Sequence, residues 1–201
     1  MKGFLVNQEL LLQLETLKTR DTAMREELLQ EGRLYGKYEQ TMQNIHKENA
    51  KALDKIISIH GWPGISKVGL KGSRTAWLIA QHAICTPDLQ RKFFQCLSEA
   101  SKIGDVPKRQ VALLMDRIRF NEGRAQVYGT VLDWNEKGEF SCELEDPENI
   151  DTLRAEAGLP PFLQSQQKHL MEVEAEGGKM PEDFKAYKEA YFQWAKSVGW
   201  Q

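Results

Sequence analysis

The stretch AWLIAQHAICTPDLQ, residues 76–90, decides the fold. Ala76, Trp77, Leu78, Ile79, Ala80, Ala83 and Ile84 make its first part apolar nearly all round. A helix without a polar face is one that neighbours cover on several sides. TPDLQ then opens another helix at once, with Thr86 as N-cap, Pro87 at the first position and Asp88 in the first turn. Gln81 and His82 stand side by side in the middle of the oily run, and that interruption poses the functional question.

Upstream, Leu10, Leu14, Leu17, Met24 and Leu28 form one amphipathic stripe, and Asp21 holds the position that would fill its gap of seven. Gly32 ends this helix, with Gly36 close behind. A second stripe runs through Met42, Ile45, Ala52, Ile56 and Ile59, with Asn49 in its gap, until HGWPG (60–64) stops it. Ser73 is the expected N-cap of the helix through residue 82. Downstream, Leu89, Phe93, Leu97 and Ala100 give the fourth helix its core face, and Asp105 is the expected cap of a fifth. Val111, Leu114, Met115 and Ile118 line that fifth helix, which also carries Asp116 and Arg117.

Past Gly123 the period changes. QVYGTVLDW (126–134) is rich in β-branched and aromatic residues, NEKG (135–138) is a turn, and EFSCELED (139–146) alternates again. The expectation is a β-hairpin near 126–146, with Gln126 and Tyr128 on one face of a strand. PENIDTLRAEAGLPP (147–161) reads as a short helix stopped by Gly158, and FLQSQQKHLMEVEAEGG (162–178) as an exposed one. PEDFKAYKEAYFQWAKSVGW (181–200) is a last, aromatic-faced helix whose Tyr187, Tyr191, Trp194 and Trp200 serve a core or a homodimer contact. The class is therefore mainly α: a bundle-like helical domain over 1–163 with one hairpin, and a C-terminal helical extension over 164–201.

The 27 basic and 29 acidic residues leave a formal charge of −2, with no Lys/Arg run. This argues against nucleic acid and anionic lipid as partners. Cys85, Cys96 and Cys142 lie far apart without a CxxC, the usage of a reducing compartment. The opening MKGFLVNQELLLQLETL is broken by Asn7, Gln8 and Glu9, lacks a signal peptide's apolar core, and no segment reaches membrane-spanning length. A cytoplasmic protein is expected.

The ordered motifs RD (Arg20-Asp21), Asn49, HGWP, AWLIAQHA, LMDRI and QVYGT resemble those of a bacterial domain-of-unknown-function family, number 6624, over residues 10 to 163. The resemblance places the family's characteristic polar positions on Asp21, Asn49, His82, Asp116, Arg117, Gln126, Tyr128 and Gly129. Where that family commonly has YGTQ, this chain departs with Val131. The family name implies no activity.

A buried imidazole must meet polar partners, and so must Asp21, Asn49, Asp116 and Arg117 if they sit on helix faces that are otherwise apolar. The expected solution is convergence on one internal pocket for a small polar or anionic molecule. In that pocket His82 carries a proton, and Asp116 or Asp21 holds one ring nitrogen. Arg117 grips a carboxylate or phosphate, and Asn49, Gln126 and Tyr128 complete the walls. The competing expectation is a non-catalytic interaction module, in which Asp21 pairs with Arg117 and Asn49 sets the register of two helices. His46, His60 and His82, with Asp21 or Asp116, supply enough ligands for a metal. Without HxxxH, HExxH or ExxH spacing, however, no metal ligands are assigned, and His60 is given a carbonyl-capping role. GxGxxG, GxxxxGK[ST] and GxSxG are missing, so no cofactor is specified.

Overall fold

The structure, a computed structural model, describes residues 6–35 and 37–201. The leader reading over residues 1–5 and the stop signal at Gly36 lie outside the described residues. The expected mainly helical fold is observed, with one antiparallel hairpin and a C-terminal helix. No helix among the described residues is long and apolar enough to cross a membrane. The chain divides into two compact units, Met1–Val111 and Ala112–Gln201.

The first unit holds α1 (Gln8–Gln30), α2 (Gln40–His60), α3 (Ile65–His82), a single 3-10 turn (Ala83–Cys85), α4 (Pro87–Lys102) and the start of α5 (Lys108–Asn121). Helices α1, α2 and α3 pack on one another, and α4 packs on α2 and α3. Leu10, Leu14, Leu53, Ala76, Ile79, Ala80, Phe93 and Leu97 are buried in this core. Gly32 ends α1 at φ 68°, and Arg33 N–H bonds back to Leu28 O, the arrangement that lets glycine satisfy a helix's last carbonyls. Thr86 does precede α4, with Pro87 at its start, but the Thr86 hydroxyl donates to Ala83 O at 3.0 Å and so closes the turn behind it.

Two expected caps fall elsewhere. Ser73 lies inside α3, not at its start, because that helix begins at Ile65 and passes through a kink at Gly69 (φ 70°, ψ 176°). A side chain at Gly69 would have to adopt a left-handed φ, so glycine allows two helical segments to run on as one. Asp105 belongs to the start of α3, not α5: its Oδ1 accepts from Ser66 N at 2.6 Å and its Oδ2 from the Ser66 hydroxyl at 3.0 Å. The second stripe is also rotated. Met42, His46, Asn49, Leu53 and Ile56 are buried, whereas Ile59 is 74% exposed. At the end of α2 the His60 carbonyl receives the Lys67 ammonium.

The second unit carries the rest of α5, strands β1 (Asp133–Trp134) and β2 (Phe140–Ser141), and helices α6 (Ile150–Glu156), α7 (Phe162–Ala175) and α8 (Phe184–Val198). The strands pair antiparallel with Trp134 opposite Phe140. Asn135 shapes the turn, its Oδ1 accepting from Lys137 N and Glu139 N at 2.9 Å each. The hairpin is shorter than the period suggests. Within 126–132, Gln126 alone forms a bridge, to Leu144, and the other residues form a loop. The cause is Asp116: it accepts from Val127 N at 2.9 Å, from Tyr128 N at 3.1 Å, and from Thr130 N and Oγ1 at 3.0 Å. Amides bonded to a carboxylate are lost to a strand ladder. Helix α8 is seated by Tyr187 and Lys188, which donate to Asp133 at 2.8 and 2.9 Å, and by Tyr191, which donates to Asn121 at 2.7 Å.

Candidate functional site

In the first unit three side chains from three helices meet. Asp21 sits on the buried stripe of α1, His46 one turn before Asn49 on α2, and His82 at the last residue of α3. Asp21 Oδ2 is 2.6 Å from His82 Nδ1, and Asp21 Oδ1 is 3.3 Å from His46 Nε2. The two imidazole centroids are 5.0 Å apart. Asp21 and His46 are buried, while the His82 side chain keeps 31% of its surface exposed and is the cluster's door to solvent.

Outside this cluster a second layer continues through the Tyr38 hydroxyl, 2.5 Å from His46 Nδ1. Cys85 Sγ lies 3.5 Å from the same hydroxyl, and Gln43 Nε2 donates to Tyr38 O at 2.9 Å. Asn49 donates to Leu17 O at 3.0 Å, four residues before Asp21, and so ties α2 to α1 at the level of the cluster.

Burial alone would raise the Asp21 carboxyl, but the hydrogen bonds and charges of His46 and His82 outweigh it and hold the group well below the usual carboxylate range. Burial pushes the His46 imidazole down, with His82 adding to the effect and Asp21 opposing it. The arrangement is a carboxylate held ionised between two imidazoles, one of which, His46, is closed off where burial disfavours its charged form. One ligand atom from each of Asp21, His46 and His82 lies within 4.8 Å of the others, the only such group of three among the described residues.

The residues expected to line one pocket thus fall into two sets. Asp21, Asn49 and His82 belong to the first unit; Asp116, Arg117, Gln126 and Tyr128 belong to the second. The ring nitrogen of His82 is held by Asp21. Asp116 is occupied by three backbone amides and a hydroxyl, and burial pushes its carboxyl up against the pull of those bonds. Gln126 closes the same loop: its Nε2 donates to Val131 O at 2.6 Å, and its Oε1 accepts from Thr130 N and Val131 N. Val131, the departure from YGTQ, takes part in these bonds through its backbone alone. Tyr128 lends its carbonyl to Arg154, a buried guanidinium that also reaches Pro160 O and Ser165 Oγ. Arg117 lies close enough to Tyr191 to lower a phenol that burial pushes up.

The sequence offered His46 only as one of three histidines, with Asp21 or Asp116, for a metal to which no ligands were assigned, and it did not single out Tyr38. The signal for His46 was present: Met42, His46, Asn49, Leu53 and Ile56 recur at 4, 3, 4 and 3, a more regular stripe than the one through Ile45 and Ile59.

Fold and site together define a mainly helical protein whose first unit carries a buried Asp–His–His cluster. The chain belongs to a family of unknown function, DUF6624, whose model matches residues 6–179. No curated protein and no solved structure matches it.

Proposed function

We propose that the Asp21–His46–His82 cluster is the working centre of this chain and that it acts on a small polar or anionic molecule through His82. One observation carries the reading: a part-exposed imidazole is held by a buried carboxylate at 2.6 Å. Such a carboxylate fixes the tautomer and orientation of the ring, leaving the other nitrogen to exchange a proton with whatever docks there. Imidazole suits this work because it takes up and releases protons near neutral pH. His46, closed off from solvent and anchored by Tyr38, holds the far oxygen of Asp21. Asn49 supports the frame. Asp116 and Gln126 are assigned to building the 126–131 loop.

A thermal-shift screen of small carboxylates, phosphates and neutral polar metabolites against wild type and His82→Ala tests the proposal. Binding that stabilises wild type and is lost in His82→Ala supports it. Ligands that shift both proteins equally would sink it. The second reading, a non-catalytic interaction module, is favoured by the way both Asp21 oxygens are already taken; a screen without hits, together with capture of a helical partner, would establish it. The proposal includes a cytoplasmic location, in keeping with three free cysteines, and self-association through α8, where Phe192 is 44% exposed.

A further inference from the structure

We infer that Asp21, His46 and His82 bind a divalent transition-metal ion, Zn²⁺ or a chemically similar ion such as Co²⁺ or Ni²⁺, at the cluster already described. The inference rests on reading that cluster as the working centre, and it names the cofactor.

Two imidazoles and one carboxylate form a mixed N/O donor set that suits these ions better than Ca²⁺ or Mg²⁺, which prefer oxygen alone. Three protein ligands with one position open is also the coordination of reactive zinc sites. The distances agree. A four-coordinate ion with bonds of about 2.0–2.1 Å holds its ligand atoms roughly 3.3 Å apart. The His46–Asp21 pair already stands at 3.3 Å. The His82–Asp21 contact, at 2.6 Å, is made to the other carboxylate oxygen, Oδ2, so closing on one ion takes a turn of the part-exposed His82 side chain; one ligand atom from each of the three residues already lies within 4.8 Å of the others. The other two ligands are buried on helices.

The outer layer fits as well. A metal-bound histidine characteristically engages a polar group through its second nitrogen, which fixes the ring. His46 does so: Nε2 faces Asp21, and Nδ1 meets the Tyr38 hydroxyl at 2.5 Å. No motif spacing announces the site because each ligand comes from a different helix. Bound there, the ion would supply Lewis-acid chemistry and would make a water at the cluster more acidic, with His82 providing the part-exposed side of the site.

The test is a titration of chelator-treated full-length protein with Co²⁺, followed by visible absorption, then competition with Zn²⁺, with no small ligand present. The expected result is a saturable spectrum at one ion per chain, bleached by Zn²⁺. It is abolished in Asp21→Asn and His82→Ala, and its apparent affinity falls roughly 10- to 100-fold in Tyr38→Phe, which removes no ligand. The His82 side chain is 31% exposed, so His82→Ala is expected to keep the fold, and circular dichroism of each variant checks this. No spectrum at millimolar Co²⁺, or equal spectra in wild type and His82→Ala, overturns the inference. Because the titration is read without any small molecule, its failure leaves the acid–base reading of the metal-free cluster standing. A failed ligand screen, in turn, leaves a measured metal site standing.

Discussion

Asp21 and His82 are 61 positions apart in the chain, yet Oδ2 of one lies 2.6 Å from Nδ1 of the other. The same carboxylate holds His46 with its second oxygen. Asp21→Ala leaves the buried His46 without its acceptor, and an unsatisfied buried polar group costs about 1–3 kcal/mol. We expect a loss of that size in urea unfolding of chelator-treated protein, a smaller one for Asp21→Asn, and the least for His82→Ala, whose imidazole is partly in water. Equal stability for Asp21→Ala and wild type would show that the cluster holds nothing together.

Asp116 is the nucleus of the 126–131 loop, with three amides and one hydroxyl on its two oxygens. At about 1 kcal/mol for each amide left without a partner, Asp116→Ala loses about 3 kcal/mol. Hydrogen exchange is the sharper measurement: the amides of Val127, Tyr128 and Thr130 should lose protection together, while those of α2 keep theirs.

Gly129 has φ 60°, and an added Cβ would lie 2.6 Å from Phe162 Cε2 and 2.8 Å from Leu144 Cδ2. Gly129→Ala therefore combines overpacking, about 1–3 kcal/mol, with a left-handed backbone penalty of roughly 1–2 kcal/mol. The urea midpoint of the second unit should fall accordingly. Gly32→Ala, where nothing lies within 4 Å of the added Cβ, should show the backbone penalty alone.

Cys142 supplies a pH dependence. Burial pushes its thiol up to about 12, with the charge of Asp116 adding and that of Arg154 opposing. A thiol in that range is almost wholly protonated at pH 8, where an unperturbed cysteine, near 8.5, is about one quarter thiolate. Alkylation of Cys142, followed by peptide mapping at pH 8, should run roughly a thousandfold slower than that of a free thiol and rise about tenfold per pH unit up to pH 11. The sign for folding follows. Because the folded pKa is raised, the stabilisation is complete below about 8.5 and is lost as pH climbs towards 12. A rate that levels off near pH 9 would contradict this.

The amino-acid order alone determined which segments are helical and where most of them stop, because the 3.6-residue period, Pro87 and the glycines at 32, 61 and 158 act through local sterics and local hydrogen bonds. It also marked Asp21, Asn49 and His82 as polar groups on buried faces. What it left open was which of them meet. That depends on how α1, α2 and α3 are rotated against one another, and the rotation is decided by packing between residues dozens of positions apart. The same non-local cause took the strand from 126–131: its β-branched residues suit a ladder, but their amides found the carboxylate of Asp116, placed by another helix. Capping followed suit, Asp105 serving the start of α3, 39 positions before it. Periodicity is a property of neighbours in the chain, whereas a site belongs to neighbours in space, and only folding turns the first into the second.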